Sequence, residues 1–181
     1  MAQGDPAVPP WLLGSPVQAA RGLLGWRLVV GSGESFRLIE VEAYAGSDDP
    51  ASHAYRGQTR RNAAMFGAPG TLYVYLIYGL HNCANVVCGP AGTGSAVLLR
   101  AAESKDGAVS GPGLLGRALQ VSTDSNGMDL FDPLSPLRLD PPQDPVIDIE
   151  SGPRVGISRA TQRTWRFWER GNPAVTPYRR T

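Results

Sequence analysis

The sequence predicts an α+β fold: a single compact mixed domain over residues 1–181, with a curved, largely antiparallel sheet, flanking helices and a protruding β-hairpin. Three observations predict it. Short strand-like runs recur along the chain, and tight Gly-containing connections join neighbouring ones, which favours antiparallel pairing. The 22 glycines and 16 prolines imply many short connections and few long helices. A length of 181 residues with 42% hydrophobic content suits one domain around one substantial core.

Residues 1–10 read as a loose Pro-rich lead. Ser15-Pro16-Val17-Gln18 is a helix start, with a serine cap, proline at the first helical position and glutamine three after the cap. That helix is expected to end near Leu24, with Gly25 as its stop. Trp26–Val30 and Phe36–Tyr44 read as two strands joined by Gly31-Ser32-Gly33-Glu34. Alternation in the second puts Ile39, Val41 and Ala43 on one face and Glu40, Glu42 and Tyr44 on the other. Residues 45–58 form a polar loop, and Thr59 is expected to cap a short helix through Met65 and Phe66.

Thr71–Ile77, Asn82–Cys88 and Ser95–Ala101 are strand-like. The first two are close enough to form a hairpin with Tyr78-Gly79-Leu80-His81 at its tip. Tyr73 and Tyr75 share one face of the first strand, and Leu72, Val74 and Leu76 share the other. An exposed tip of this composition gains nothing from burial, which suggests that it touches something. Gly111–Val121 reads as a helix entered through Pro112, and residues 122–150 as an acidic, Pro-rich traverse with little periodic structure. Arg154–Ile157 and Trp165–Glu169 are expected as closing strands, with Ser158 capping a short helical turn between them.

The net charge is +1, but it is unevenly distributed: +1 over residues 1–102, −6 over 103–150 and +6 over 151–181. A basic segment is the electrostatic footprint of a polyanion partner, and also what a solvated tail looks like. All basic residues but Lys105 are arginine, which suits bidentate phosphate contacts. No apolar run is long enough for a membrane span, and MAQGDPAVPPW lacks the charged and apolar regions of a signal peptide. A cytoplasmic, reducing location is the expectation. The offset of five between Cys83 and Cys88 points them to opposite faces of a strand, against a shared metal or a disulfide, so both are expected as buried free thiols.

The chemistry-bearing residues lie between Arg37 and Asn85. Hydrolysis of an N-glycosidic bond needs a base for the attacking water and a carboxylate near the positive charge developing on the sugar. Glu42 can serve as both; Glu40 shares its face, and periodicity alone does not choose between them. Tyr44, His53 and Tyr75 could wall a pocket for a nucleobase, since aromatic faces stack on an extruded base and favour a cationic one. The alternative for each tyrosine is ordinary core packing. Tyr78 at the hairpin tip suits a wedge that fills the gap left by an extruded nucleotide. Thr59, Arg60, Arg61 and Asn62 offer donors suited to phosphate at the expected helix start.

These residues resemble the alkyladenine (methylpurine, 3-methyladenine) DNA glycosylase family. The matching text is VEAY, then His53 with GQTRRN, MF, PGTLYVYLIYG, an asparagine and VLLRA, followed by GPGLLGRAL, NGMDL, RVGIS and RFWERGNP. The resemblance spans Leu12 to Pro177 and implies one mixed domain whose hairpin enters the DNA minor groove. It selects Glu42 over Glu40 as the base and places Tyr44 on one face of the flipped purine, with His53 and Tyr75 on the other. It makes Tyr78 the wedge, flanked by Leu80 and by His81, where some relatives carry an aromatic or other residue. It also makes Asn85 the group that rejects an exocyclic 2-amino substituent, and puts Arg100 near the scissile nucleotide.

The implied enzyme is monofunctional, uses water as nucleophile, needs no cofactor or metal and leaves an abasic site. Its implied substrates are 3-methyladenine, 7-methylguanine, hypoxanthine and ethenoadenine in double-stranded DNA. The expected form is a compact bacterial-type monomer, associated with the nucleoid and not with membrane. Two other classes stay open on the residues alone: a non-catalytic reader of damaged nucleic acid using the same pocket, and a nuclease holding magnesium on Glu40, Glu42, Asp48 and Asp49.

Overall fold

Ser15 caps the first helix as its sequence requires: its hydroxyl accepts from the Gln18 N–H, and the Gln18 side chain reaches back to the Ser15 backbone. The helix, α1, spans Pro16–Leu23 and buries Ala19, Ala20 and Leu23. The chain turns away at Gly25, whose φ of +84° suits glycine. These details come from a computed structural model, which describes residues 8–146 and 148–175. Of the lead expected over residues 1–10, residues 1–7 lie outside the described residues, and Pro10–Leu13 form a 3₁₀ turn.

Nine strands among the described residues form one curled antiparallel sheet. They are β1 (Arg27–Val30), β2 (Ser35–Ala45), β3 (Leu72–Ile77), β4 (His81–Cys88), β5 (Ser95–Ser104), β6 (Gly107–Ser110), β7 (Leu137–Asp140), β8 (Ile149–Gly152) and β9 (Arg166–Glu169). The order β3-β4-β5-β2-β1-β7 runs through the long β2–β5 pair, while β6 branches from β5 and β9 from β2. The α+β expectation therefore holds.

The strand periodicity needs one correction. Leu38, not Ile39, joins Val41 and Ala43 in the main core. Pairing with β5 slips between Leu38 and Glu40 and again before Val41, and such a bulge resets the two-residue alternation. From Val41 onward the expected alternation holds.

One face of the sheet receives the main core, to which α1, α2 (Pro112–Ala118), Leu130, Phe131 and Phe167 all contribute. The other carries a smaller cluster of Ala54, Met65, Tyr73, Val87 and Ala96, with Tyr44 and Tyr75 packed on it. β4 shows both: Ala84, Val86 and Cys88 join the main core, and Val87 faces the other side. Cys83 and Cys88 are both buried and unbridged.

Other sequence expectations are corrected. The acidic 122–150 segment contributes a strand, β7, which pairs with β1 and buries Leu137 and Leu139. Its Leu-Arg-Leu-Asp alternation is too short between prolines to show as a pattern. Arg154–Ile157 is irregular; the strand lies earlier, as β8, which pairs with β9. Ser158 sits in a bend, without the expected helical turn. Thr59 caps no helix either: only a 3₁₀ turn, Ala63–Phe66, follows.

Helix α2 braces the turn end of the β3–β4 hairpin through two glycines. A Cβ on Gly116 would run into the Asn82 carbonyl oxygen, and one on Gly113 would stand 2.9 Å from Cβ and Cγ of His81. Because Asn82 is backbone in a strand, it cannot yield cheaply. Gly116→Ala is expected to cost about 1–3 kcal/mol or more despite alanine's better helix propensity. Thermal or denaturant unfolding checks this, and an unchanged midpoint would contradict it.

Candidate active site

β2 brings Glu42 to the face opposite the helices, where it is fully buried. Its Oε2 accepts from the Tyr44 hydroxyl at 2.9 Å and its Oε1 from the Val155 N–H at 2.8 Å. Arg100 Nε stands 3.5 Å from Oε1. Burial raises the Glu42 pKa above the ordinary carboxylate value; Arg100 and the two hydrogen bonds oppose that rise, and Glu40 adds to it. The carboxylate is thus a stronger proton acceptor than one in water, yet still supported as an anion.

Glu40 is bound differently. Its Oε1 accepts from Arg100 Nε at 2.9 Å and from Arg166 Nε at 2.6 Å, so it joins β2 to both β5 and β9. Geometry thereby separates the two glutamates that periodicity leaves together. Glu40 is committed to two buried guanidinium groups, and Glu42 lies beneath a cavity.

That cavity has a volume of about 810 Å³, within the usual range for small-molecule sites. Tyr44, Arg100 and Val155, whose donors surround the Glu42 carboxylate, all line it, as do His53, Tyr75 and Asn85. The His53 ring meets the Tyr75 ring edge-on at 4.4 Å between centroids. His53 Nδ1 lies 3.1 Å from the Tyr73 hydroxyl. Burial, aided by the charge of Arg61, lowers the His53 pKa, and burial raises those of Tyr44 and Tyr75 and pushes Tyr73 up to about 12. The aromatic walls are therefore uncharged at neutral pH. Asn85 donates its amide hydrogens to the carbonyls of Tyr73 (3.0 Å) and Cys83 (3.3 Å), which fixes its orientation.

The hairpin stands out from the rim. Leu80 N–H closes onto the Ile77 carbonyl at 3.1 Å, and Tyr78 and Gly79 have φ of 52° and 69°, the signs required by a type I′ turn. Tyr78 is 87% exposed and Leu80 77% exposed, with Tyr78 also lining the cavity mouth. His81 is exposed where β4 leaves the turn, paired with Ile77.

The Thr59–Asn62 loop is organised from within. Asn62, expected among phosphate donors, is 4% exposed. Its Oδ1 accepts from Thr59 N–H and hydroxyl, and its Nδ2 donates to the carbonyls of His53 and Gly57. It shapes the loop that carries His53. Thr59, Arg60 and Arg61 remain exposed, and Arg61 Nη2 donates to the Leu76 carbonyl at 3.3 Å, tying the loop to β3.

Sequence reasoning missed several participants. Val155 reaches Glu42 through its backbone, which no side-chain pattern reveals, although RVGIS is one of the blocks quoted for the family resemblance. Asp49 and Arg154, 105 positions apart, form a buried pair beside Tyr44. Cys83 stands directly opposite Tyr75 in the β3–β4 pair. Its position opposite Tyr75 in the predicted hairpin was the available signal.

Residues 11–173 match the family described as methylpurine-DNA glycosylase (MPG). A Nocardia farcinica protein is 47% identical over 94% of this chain and 90% of its own length. A Mycolicibacterium paratuberculosis protein is 47% identical over 94% and 92%, respectively. One from Mycobacterium tuberculosis H37Rv is 46% identical over 92% and 91%. All three carry the provisional name 3-methyladenine DNA glycosylase.

Proposed function

The chain belongs to the methylpurine-DNA glycosylase family, and we propose that it releases alkylated or deaminated purines from duplex DNA by hydrolysis at Glu42. It is a DNA glycosylase, an enzyme of DNA repair. The observation that carries the mechanism is a buried carboxylate of raised pKa beneath a cavity whose aromatic walls are uncharged.

The substrates are 3-methyladenine, 7-methylguanine, hypoxanthine and ethenoadenine, flipped from the helix into the cavity. Tyr44 stacks on one face of the base, and His53 and Tyr75 close the other. Tyr78 fills the vacated position in the stack with Leu80 and His81 beside it, while Thr59, Arg60 and Arg61 meet the backbone and Asn62 holds their loop. Asn85 disfavours purines bearing a 2-amino group, and 7-methylguanine, which carries one, is accepted because its cationic ring is a better leaving group than normal guanine. Neutral walls suit a ring that carries positive charge, because a cation facing another cation would be repelled.

Water attacks the anomeric carbon as the bond from that carbon to the purine nitrogen breaks. The bonding electron pair leaves with the base, so a cationic alkylated purine departs neutral and a neutral one such as hypoxanthine departs as an anion that takes a proton from solvent. The proton of the attacking water passes to Glu42. The carboxylate also opposes the positive charge developing on the sugar, and Arg100 sits beside the reacting nucleotide. The product is an abasic site in an uncut strand. The enzyme acts as a monomer in the bacterial cytoplasm, at the nucleoid.

The pH dependence of single-turnover release tests this reading. Because the base must be ionised, the rate is expected to fall as pH drops through the Glu42 pKa. The midpoint should lie above the ordinary glutamate value of about 4.3. The His53 pKa is shifted down as that of Glu42 is shifted up, so the profile is repeated with His53→Gln, which keeps the limb if Glu42 is its source. A rate flat from pH 8 to pH 4 would overturn Glu42 as the base.

A further inference from the structure

We propose that the buried Arg154–Asp49 pair is the positioning device for the general base: it fixes the Val155 N–H and the Tyr44 ring against Glu42. The proposal rests on the reading of Glu42 as that base. Arg154 is 2% exposed, although it belongs to a stretch without regular structure. Its Nη2 donates to Asp49 Oδ1 at 2.9 Å, and its Nη1 donates to Asp49 Oδ2 and to the Ala43 carbonyl, the latter at 2.8 Å. The fork therefore grips β2 and the Asp49 loop together. Its guanidinium carbon lies 4.6 Å from the centroid of Tyr44 and 5.3 Å from that of Trp165, and Arg163 lies over Trp165 at 4.4 Å.

The next residue supplies the functional contact. A segment with no ladder of its own must still present the Val155 N–H to Glu42 Oε1 at 2.8 Å. The rigid element nearest that bond is the guanidinium fork one residue away. Tyr44, whose hydroxyl holds Oε2, has Arg154 against its ring, so one side chain bears on both donors of the carboxylate. Burial alone would raise the Asp49 pKa, but the hydrogen bonds and charge of Arg154, with the N–H groups of Ala51 and Ala45, hold it below the usual value. Asp49 is thereby held as the anion beside the guanidinium.

The charged and titratable groups facing Glu42 are Glu40 and Tyr44 from β2, Arg100 from β5, Arg166 from β9 and Tyr75 from β3. None of them fixes the Val155 N–H. Loss of that bond removes support for the ionised carboxylate, so the acid limb should move to higher pH.

Arg154→Lys keeps the charge and loses the fork, and single-turnover release separates its effects: amplitude reports the folded fraction and the rate constant reports chemistry. The expected result is a rate constant lower by about 10- to 100-fold, as small misplacements of reacting groups produce. Affinity for damaged duplex should stay within about 3-fold, and the acid limb should shift upward. A wild-type rate constant and limb, with only a lower melting temperature, would show a purely structural pair and overturn the proposal. If Arg154→Lys does not fold, isosteric Asp49→Asn is read in the same way. Glu42→Gln is run alongside. Turnover by that variant overturns the base assignment itself, whereas a dead Glu42→Gln beside an unperturbed Arg154→Lys overturns the positioning role alone.

Discussion

Glu42→Gln is expected to lower single-turnover base release by roughly 10³-fold or more, while affinity for damaged duplex changes little. General-base catalysis alone contributes on the order of 10²–10⁴, and this carboxylate is also asked to stabilise the charge on the sugar. Binding survives because the cavity walls, hairpin and basic loop are untouched, and the amide nearly matches the carboxylate in shape. The Val155 N–H keeps an acceptor, and the Tyr44 hydroxyl can turn to accept from the new amide. A stability gain should accompany the loss of activity. The Glu42 pKa is raised in the folded state, so the protonated, neutral form favours folding below the unfolded pKa, and that contribution disappears as pH rises through the folded one. Glutamine imitates the neutral form at all pH values, so at neutral pH the variant should melt higher than wild type. Single-turnover kinetics and thermal melts check the two halves, and a slow variant that also melts lower would refute this linkage.

Glu40→Gln should show the reverse pattern. Its carboxylate is the shared partner of Arg100 and Arg166, both buried, so the neutral amide leaves two guanidinium charges under-compensated. Breaking a buried pair in this way costs about 3–5 kcal/mol. For a chain of this size that corresponds to a drop of roughly 6–20 °C in melting temperature. The folded fraction should still release base, more slowly because Arg100 has lost its anchor, but well above Glu42→Gln. Full stability together with abolished chemistry would instead make Glu40 the base.

How much of this was legible in the sequence depends on the range over which each signal acts. The Ser15 capping box, the Tyr78-Gly79 turn and the opposite facing of Cys83 and Cys88 are local, and local pattern predicts them correctly. The single core and antiparallel sheet follow from the same short runs. What escaped depends on pairings across the chain. The bulge at Leu38–Val41 exists only against β5, so alternation misassigned Ile39. The short β7 became a strand only by pairing with β1. The Thr59 hydroxyl promised a helix cap, but Asn62 draws it into a turn that carries His53. Periodicity left Glu40 and Glu42 alike, and only the family resemblance chose between them; their different partners, Arg100, Arg166 and Val155, are each supplied by a distant segment.

The most direct measurement uses enzyme in excess over duplex DNA bearing one alkylated purine or one hypoxanthine. The released base is resolved, and the strand is examined before and after alkali. The predicted result is stoichiometric free base, an uncut strand before alkali and cleavage at the damaged position after it, with the same yield in a metal chelator. Tight binding to the damaged duplex with no free base at any enzyme concentration would contradict the account and leave a reader of damage in place of a glycosylase.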